Sequence, residues 1–181
     1  MKVVVMSGSP RANGVSEKVV QQVIAGAKEA GHEVVTYNIN QMEVHGCLGC
    51  GYCRANNADC CQKDDMVPYF EDLHTCGALV VTSPNYYSQI VGPMITFMNR
   101  HYCMTTADHK SRLTPGVKLV GIFAQGAPES YEKYMDNYRW YMNTFLSKDM
   151  VEAGMLVVGG DSDLSPQGAI MQQAYQIGSS L

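Results

Sequence analysis

The chain has 181 residues, 46% of them hydrophobic and only 17% charged. That composition suits one domain with a continuous core and excludes a disordered chain. A formal net charge of −4 argues against nucleic acid or an anionic membrane as the main partner. The opening "MKVVVMSGSP" reaches Ser7 and Gly8 too soon for a secretory h-region or a membrane span, so a cytoplasmic protein is expected.

Short apolar runs alternate with helical periodicity along the chain. "KVVVM" (2–6) predicts a buried strand. Val15, Val19, Val20, Val23, Ile24 and Ala27 then share one helical face, and Gly31 ends that helix. Strands are expected at 33–39, 78–83, 117–124 and 154–160. Helices are expected at 64–76, from Gly92-Pro93 to about Met104, at 128–149 and at 166–181. Asp64 and Asp65 read as the first turn of the 64–76 helix, where carboxylates suit the dipole. No repeat or linker divides the chain, so 1–181 reads as one domain with a cysteine-rich loop at about 45–62. Five β/α alternations predict a five-stranded parallel sheet with helices on both faces, an α/β/α sandwich. Ligands of such sheets bind beyond the strands' carboxyl ends, where the strand order reverses.

That rule singles out three loops. "SGSPRANGVS" (7–16) crowds Ser7, Ser9, Arg11, Asn13 and Ser16 between a strand and a helix start, which makes an anion or phosphate site. It is not a P-loop: five residues, not four, separate Gly8 from Gly14, and Val15 stands where Lys is needed. The dinucleotide fingerprint is also missing. "TSPNYYSQIVGP" (82–93) sets Pro84, Asn85, Tyr86, Tyr87 and Ser88 where a flat aromatic ligand could stack. In "FAQGAPES" (123–130), Gln125 could bond a ring edge and Gly126 permits close backbone approach. No acidic cluster follows the first strand, as a signalling receiver would need. No catalytic triad or H-E-x-x-H is found.

The stretch "HGCLGCGYCRANNADCC" (45–61) holds five of the seven cysteines. Cys47, Cys50 and Cys53 repeat the C-x2-C-x2-C step of ferredoxin-type cluster loops, and Cys60 offers a fourth thiolate. Cys61 competes for that fourth place. Structural zinc sites instead pair two C-x2-C knuckles across a longer insert. Two readings stand: a [4Fe–4S] cluster, or a metal-free loop of bystander or redox thiols. His45 is a further candidate ligand. His32, His74, His101 and His109 form no constellation, and Cys76 and Cys103 read as small core residues.

Together, "GSPRANGVS", "SPNYYSQIVGPMITFMNR" and "GCLGCGYC…CQKDDM" resemble the flavodoxin-like NAD(P)H-dependent FMN reductases, close to the iron–sulfur flavoproteins. The resemblance covers nearly the whole chain. It implies a flavodoxin-like fold and FMN, with Ser9, Arg11, Asn13 and Ser16 about its phosphate. Pro84, Asn85, Tyr86, Tyr87 and Ser88 would then contact the ring, with Gln125 and Gly126 beside it. That family often reads Gly-Asn-Thr where this chain has Gly14-Val15-Ser16; Ser16 keeps the hydroxyl. The implied reaction is hydride transfer from NADH or NADPH to FMN, then electron delivery to a small-molecule acceptor or a redox protein. The alternative is an electron-transfer iron–sulfur flavoprotein using Cys47, Cys50, Cys53 and Cys60. Tyr131, Tyr134, Met135, Tyr138, Tyr141, Met142 and Phe145 recur at helical spacing. Their first reading is a core face, but Tyr and Met also favour interfaces. A homodimer or homotetramer using this helix is expected.

Overall fold

Strand β1 (Lys2–Ser7) is an inner strand of a parallel sheet whose order is β2-β1-β3-β5-β6. A computed structural model describes residues 1–181. The parallel strands are β2 (Glu33–Asn38), β3 (Ala78–Tyr86), β5 (Lys118–Ala124) and β6 (Val151–Val158), and β4 (Gln89–Ile90) turns back antiparallel on β3. The expected five-stranded parallel sheet is therefore present, with one short added strand.

Alternate side chains of each strand enter opposite cores. Val4, Met6, Leu79, Val81, Leu119 and Phe123 face one core, beneath α3 (Met66–Thr75), α4 (Gly92–Arg100) and α5 (Met135–Leu146). Val3, Val5, Val80, Val120 and Ile122 face the other, beneath α1 (Val15–Glu29) and α6 (Ala169–Ser179). A short helix, α2 (Tyr52–Asn56), lies within the cysteine loop.

Several boundaries moved, each for a local reason. Asp64 and Asp65 precede α3 rather than forming its first turn, because both carboxylates bind backbone N–H groups of the cysteine loop's other end. Strand β6 starts at Val151, three residues earlier than expected, and a register shift opposite Leu119/Val120 absorbs Ala153. Gly159 and Gly160 lie beyond the strand. Helix α5 starts at Met135 rather than 128, because the Pro128 carbonyl accepts from Tyr131 N–H and closes a turn first. The helix from Gly92 ends at Arg100, and a 3-10 turn (His101–Met104) continues it. Helix α6 begins at Ala169 rather than 166.

The Tyr/Met row splits. Tyr138, Tyr141, Met142 and Phe145 are buried within the protein's own core, while Tyr131 is exposed. The core reading therefore holds for the C-terminal part of the row. That face is not free to meet a second copy; the large apolar residue that α5 exposes is Trp140.

His101 organises the first core. Its Nδ1–H donates to the Phe97 carbonyl at 2.8 Å, which leaves Nε2 to accept from Tyr69 Oη at 2.7 Å. Phe97 and Phe145 pack edge-on against the ring. Burial pushes its pKa down from 6.5 to about 3. Between those values the unfolded chain binds the proton and the folded one does not. The stability so secured is complete above about pH 6.5 and is lost as pH falls towards the folded value. The urea midpoint should therefore drop between about pH 7 and about pH 5. That drop should shrink in His101→Gln; an equal drop in both proteins would place the titration elsewhere.

Candidate functional site

The carboxyl ends of β1, β3, β5 and β6 surround one cavity of about 340 Å³. Its wall includes Ser9, Arg11 and Ser16 from the first loop, Pro84, Asn85 and Tyr86 from the second, and Gln125 and Gly126 from the third. Three loops spread over more than a hundred residues of chain are thus brought together. Asn13, Tyr87 and Ser88 are not among the lining residues. Gly14, Val15, Ala124 and Gly160 are. Gly160 could have been found by extending the strand-end rule to the last strand. A Cβ there would stand 2.5 Å from the Gly126 carbonyl oxygen, so only glycine lets the two loops touch.

The first loop is braced from within. Ser9 Oγ donates to the Arg11 carbonyl and accepts from the Arg11 N–H, at 3.0 and 3.2 Å. Asn38 and Asn40, at the end of β2, donate to the carbonyls of Ser9 and Gly8. Ser7 Oγ donates to Glu17 at 2.8 Å. None of these bonds uses the Arg11 guanidinium or the Ser16 hydroxyl. Gly14 offers no side-chain cap to α1, so the first-turn N–H groups of that helix lack a side-chain partner. An unpaired cation, a free hydroxyl and a helix N-terminus meeting at one cavity form a site for an anion. Ser9 serves as the loop's brace, and its hydroxyl is already occupied.

The second loop is a hairpin. Tyr87 and Ser88 join β3 to β4 with φ of 52° and 64°, the positive values that a type I′ turn demands. Neither is glycine, and each such residue carries about 1–3 kcal/mol of strain. Asn137 Nδ2 donates to the Ser88 carbonyl and holds the turn against α5. Tyr87 points wholly into solvent. In the third loop the Gln125 amide is spent internally, donating to the carbonyls of Pro128 and Tyr131 and accepting from Tyr138 Oη. Its side chain braces the loop rather than offering a free bond to a ligand.

A second cavity, of about 360 Å³, lies between α1 and β2. Glu17 lines it, and no Lys or Arg does. A carboxylate without a cation repels an anion, so the three-loop cavity is the better phosphate site.

The cysteine loop forms a separate centre. Cys47, Cys50, Cys53, Cys60 and Cys61 all line one hollow of about 20 Å³, with Tyr102 at its side. Cys53 is buried on α2, Cys60 is partly covered, and the other three are exposed. Cys50 and Cys61 sulfurs stand 4.0 Å apart. Gly49 and Gly51 take φ of 62° and 72°, which lets the arm wrap. The Tyr52 backbone, then Cys61, lowers the Cys50 pKa, while burial raises that of Cys53. No three His, Cys, Asp or Glu side chains converge as around a single metal ion. His45 does not line the hollow; its ring lies 3.7 Å from Asp64 and 3.8 Å from Glu43. His74 pairs with Asp59, and His32 bonds the Leu181 carbonyl. Cys76 and Cys103 are core residues, and burial pushes their thiols up to about 11 and about 12.

The base of this loop is clamped by a pair that sequence reading missed. Arg100, at the end of α4, donates to both Asp64 carboxylate oxygens and to the His45 carbonyl. Its side chain is 0% exposed and that of Asp64 is 2%. Asp64 also accepts from the His45 and Met66 N–H groups. Burial alone would raise the Asp64 pKa, but Arg100 and those two amides outweigh it and hold the carboxyl below its usual range. Helical periodicity gave no signal for this pairing, which spans 36 residues.

Residues 1–151 match the family described as NADPH-dependent FMN reductase. Over 138 residues, 75% of this chain, the sequence is 31% identical to an iron-sulfur flavoprotein of Archaeoglobus fulgidus. That match spans 61% of the Archaeoglobus protein's own length. An iron-sulfur flavoprotein of Methanosarcina thermophila is 28% identical over 163 residues, 90% of this chain and 79% of its own. Among solved structures, the NAD(P)H:quinone oxidoreductase of Methanothermobacter marburgensis superposes with a TM-score of 0.75 at 15% identity. It covers 99% of this chain and 96% of its own. That likeness agrees with the flavodoxin-like sheet order.

Removing the Asp64 carboxylate would strand a buried guanidinium. Asp64→Ala should cost about 3–5 kcal/mol of unfolding free energy in urea and open residues 45–64 to limited proteolysis. The paired change Asp64→Leu with Arg100→Met should cost far less. Equal losses from the single and paired changes would contradict the clamp.

Proposed function

The chain belongs to the NADPH-dependent FMN reductase family, and on that premise we propose that it holds FMN in the three-loop cavity as one flavodoxin-like domain. The observation that carries this reading is the convergence of an unpaired Arg11, a free Ser16 hydroxyl and the α1 N-terminus on one side of a cavity that Asn85 and Tyr86 wall elsewhere. Arg11 and Ser16, with the first-turn amides of α1, would bind the phosphate. Pro84, Asn85, Tyr86 and Gly126 would bound the ring. Asn13, Tyr87 and Ser88 stand outside the wall and could reach a ligand only by extending its rim.

Bound there, FMN would supply the redox chemistry, accepting hydride from NADH or NADPH and delivering electrons to an acceptor. The protein's contribution is position. Pro84 and the hairpin keep one wall rigid and the Gly126–Gly160 contact closes the far end; hydride transfer there would need stacking more than a protein acid, with the protons of a reduced acceptor drawn from water. A small-molecule acceptor such as a quinone, or a redox protein, suits an open strand-end cavity. No helix is long and apolar enough to cross a membrane. A homodimer or homotetramer belongs to this reading, with Trp140, 51% exposed, as the α5 residue free to meet another copy.

A second reading rests on the five thiols that line one hollow. It adds an electron-transfer role for a [4Fe–4S] cluster, which Cys47, Cys50, Cys53 and Cys60 or Cys61 would hold. The hollow would have to widen to take a cluster, and the exposed arm with its glycines allows this. Anaerobic reconstitution should give about four iron and four sulfide per chain, lost in Cys50→Ala while flavin is retained. Iron-free protein after reconstitution would rule this reading out.

The FMN reading is tested at Arg11. A hydrogen bond to a charged group is worth about 1.5–3 kcal/mol. Arg11→Ala should therefore weaken FMN about ten- to hundredfold in a fluorescence titration, and leave riboflavin, which lacks the phosphate, almost unaffected. Equal weakening of both ligands would show that Arg11 acts on the ring or the fold. A wild-type protein that binds neither would refute the reading.

A further inference from the structure

We infer that Tyr138 is a positioning residue that decides which polar atom the cavity presents to a flavin ring. The inference rests on the reading of the cavity as an FMN site. Two backbone carbonyls fix the outcome. Those of Pro128 and Tyr131 lie 2.7 and 3.3 Å from one terminal atom of the Gln125 side chain. A carbonyl oxygen can only accept, so that atom is the amide nitrogen, and the Gln125 oxygen faces the other way. It stands 3.0 Å from Tyr138 Oη. A phenol has one proton, and Gln125 takes it. Asn85 meets the same phenol oxygen at 2.8 Å, so Asn85 must be the donor, with its amide nitrogen turned inward. Its Oδ1 is the amide atom left without a protein partner, on a residue that lines the cavity.

The phenol is well fixed for this task. Tyr138 is 1% exposed. Its ring lies parallel to that of Phe123, with centroids 4.6 Å apart and planes 2° apart. The hydroxyl therefore cannot swing away, and the polarity set at Pro128 and Tyr131 is passed through Gln125 and Tyr138 to the cavity wall. The wall at Asn85 offers an acceptor, which takes an N–H donor. An isoalloxazine has an imide N–H in both redox states and gains a second ring N–H on reduction.

The two donors are separable. FMN affinity is measured for the wild type, Tyr138→Phe, Asn85→Ala and the double variant, with oxidised flavin by fluorescence titration and with reduced flavin through the midpoint potential. One neutral hydrogen bond is worth about two- to tenfold in affinity. With the imide as donor, Tyr138→Phe weakens oxidised FMN by that factor and leaves the potential unchanged. With the N–H gained on reduction as donor, oxidised affinity holds and the potential falls, by about 30 mV at the tenfold end for a two-electron couple. In both cases the double variant matches Asn85→Ala, because Tyr138 acts through Asn85. Additive losses in the double variant would make Tyr138 a structural support and overturn the inference. Wild-type binding of both redox forms by Tyr138→Phe would overturn it too. Phenylalanine keeps the ring stack, and Asn85→Ala, at a half-buried position, reads the same contact without touching the core. A wild-type protein that takes up no FMN would refute the functional reading itself, and the inference with it. Binding by the wild type with an additive cycle defeats the inference alone.

Discussion

The site depends on the pairing of β1 with β2 on one side and β3 on the other. Sheet growth reverses at that point, and the loops after β1 and β3 leave the sheet on opposite faces. The crevice between them follows from topology. The reversal is tight: Gly8 N–H donates to the Thr82 carbonyl at 2.9 Å, and a Cβ on Gly8 would stand 2.7 Å from the same oxygen. With β5 and β6 continuing the sheet, Gln125, Gly126 and Gly160 close the far side of the same cavity.

A single helix links the two candidate centres. Helix α4 begins where Val91 N–H donates to Ser83 Oγ, beside the cavity hairpin. It ends at Arg100, which clamps the cysteine loop. Nine residues at about 1.5 Å each make this span about 13 Å. The cysteine loop is therefore not a loose insertion. Its ends are joined through Asp64, Asp65, Glu43 and His45 to a buried guanidinium, and α2 is held by the Arg54 guanidinium over the Tyr102 ring at 4.0 Å. Within this firm base, Cys47, Cys50 and Cys61 lie on the exposed, adaptable part.

Much of this was legible in the sequence. Apolar runs and helical periodicity locate every parallel strand and the main helices; the inner strands β1, β3 and β5 are buried on both faces and read as continuous apolar runs. The strand-end rule then leads to the three loops, and eight of the eleven residues that the family resemblance implied there line the cavity. What escaped was pairing. Nothing local marks Arg100 as the partner of Asp64, or Asn38 and Asn40 as braces of the first loop. Gln125 and Ser9 were read as ligands because their groups are polar and well placed. The folded chain spends Ser9 on its own backbone and Gln125 on two backbone carbonyls and Tyr138 Oη, which periodicity does not reveal. Tyr87 and Ser88 were read as ring contacts, but the two-residue hairpin turns them outward.

A crystal structure of the protein grown with FMN tests the central claim most directly. The account predicts the phosphate beside Arg11, Ser16 and the first turn of α1, with the ring between Tyr86 and Gly126. Flavin in the cavity between α1 and β2, against Glu17 and Tyr37, would contradict it.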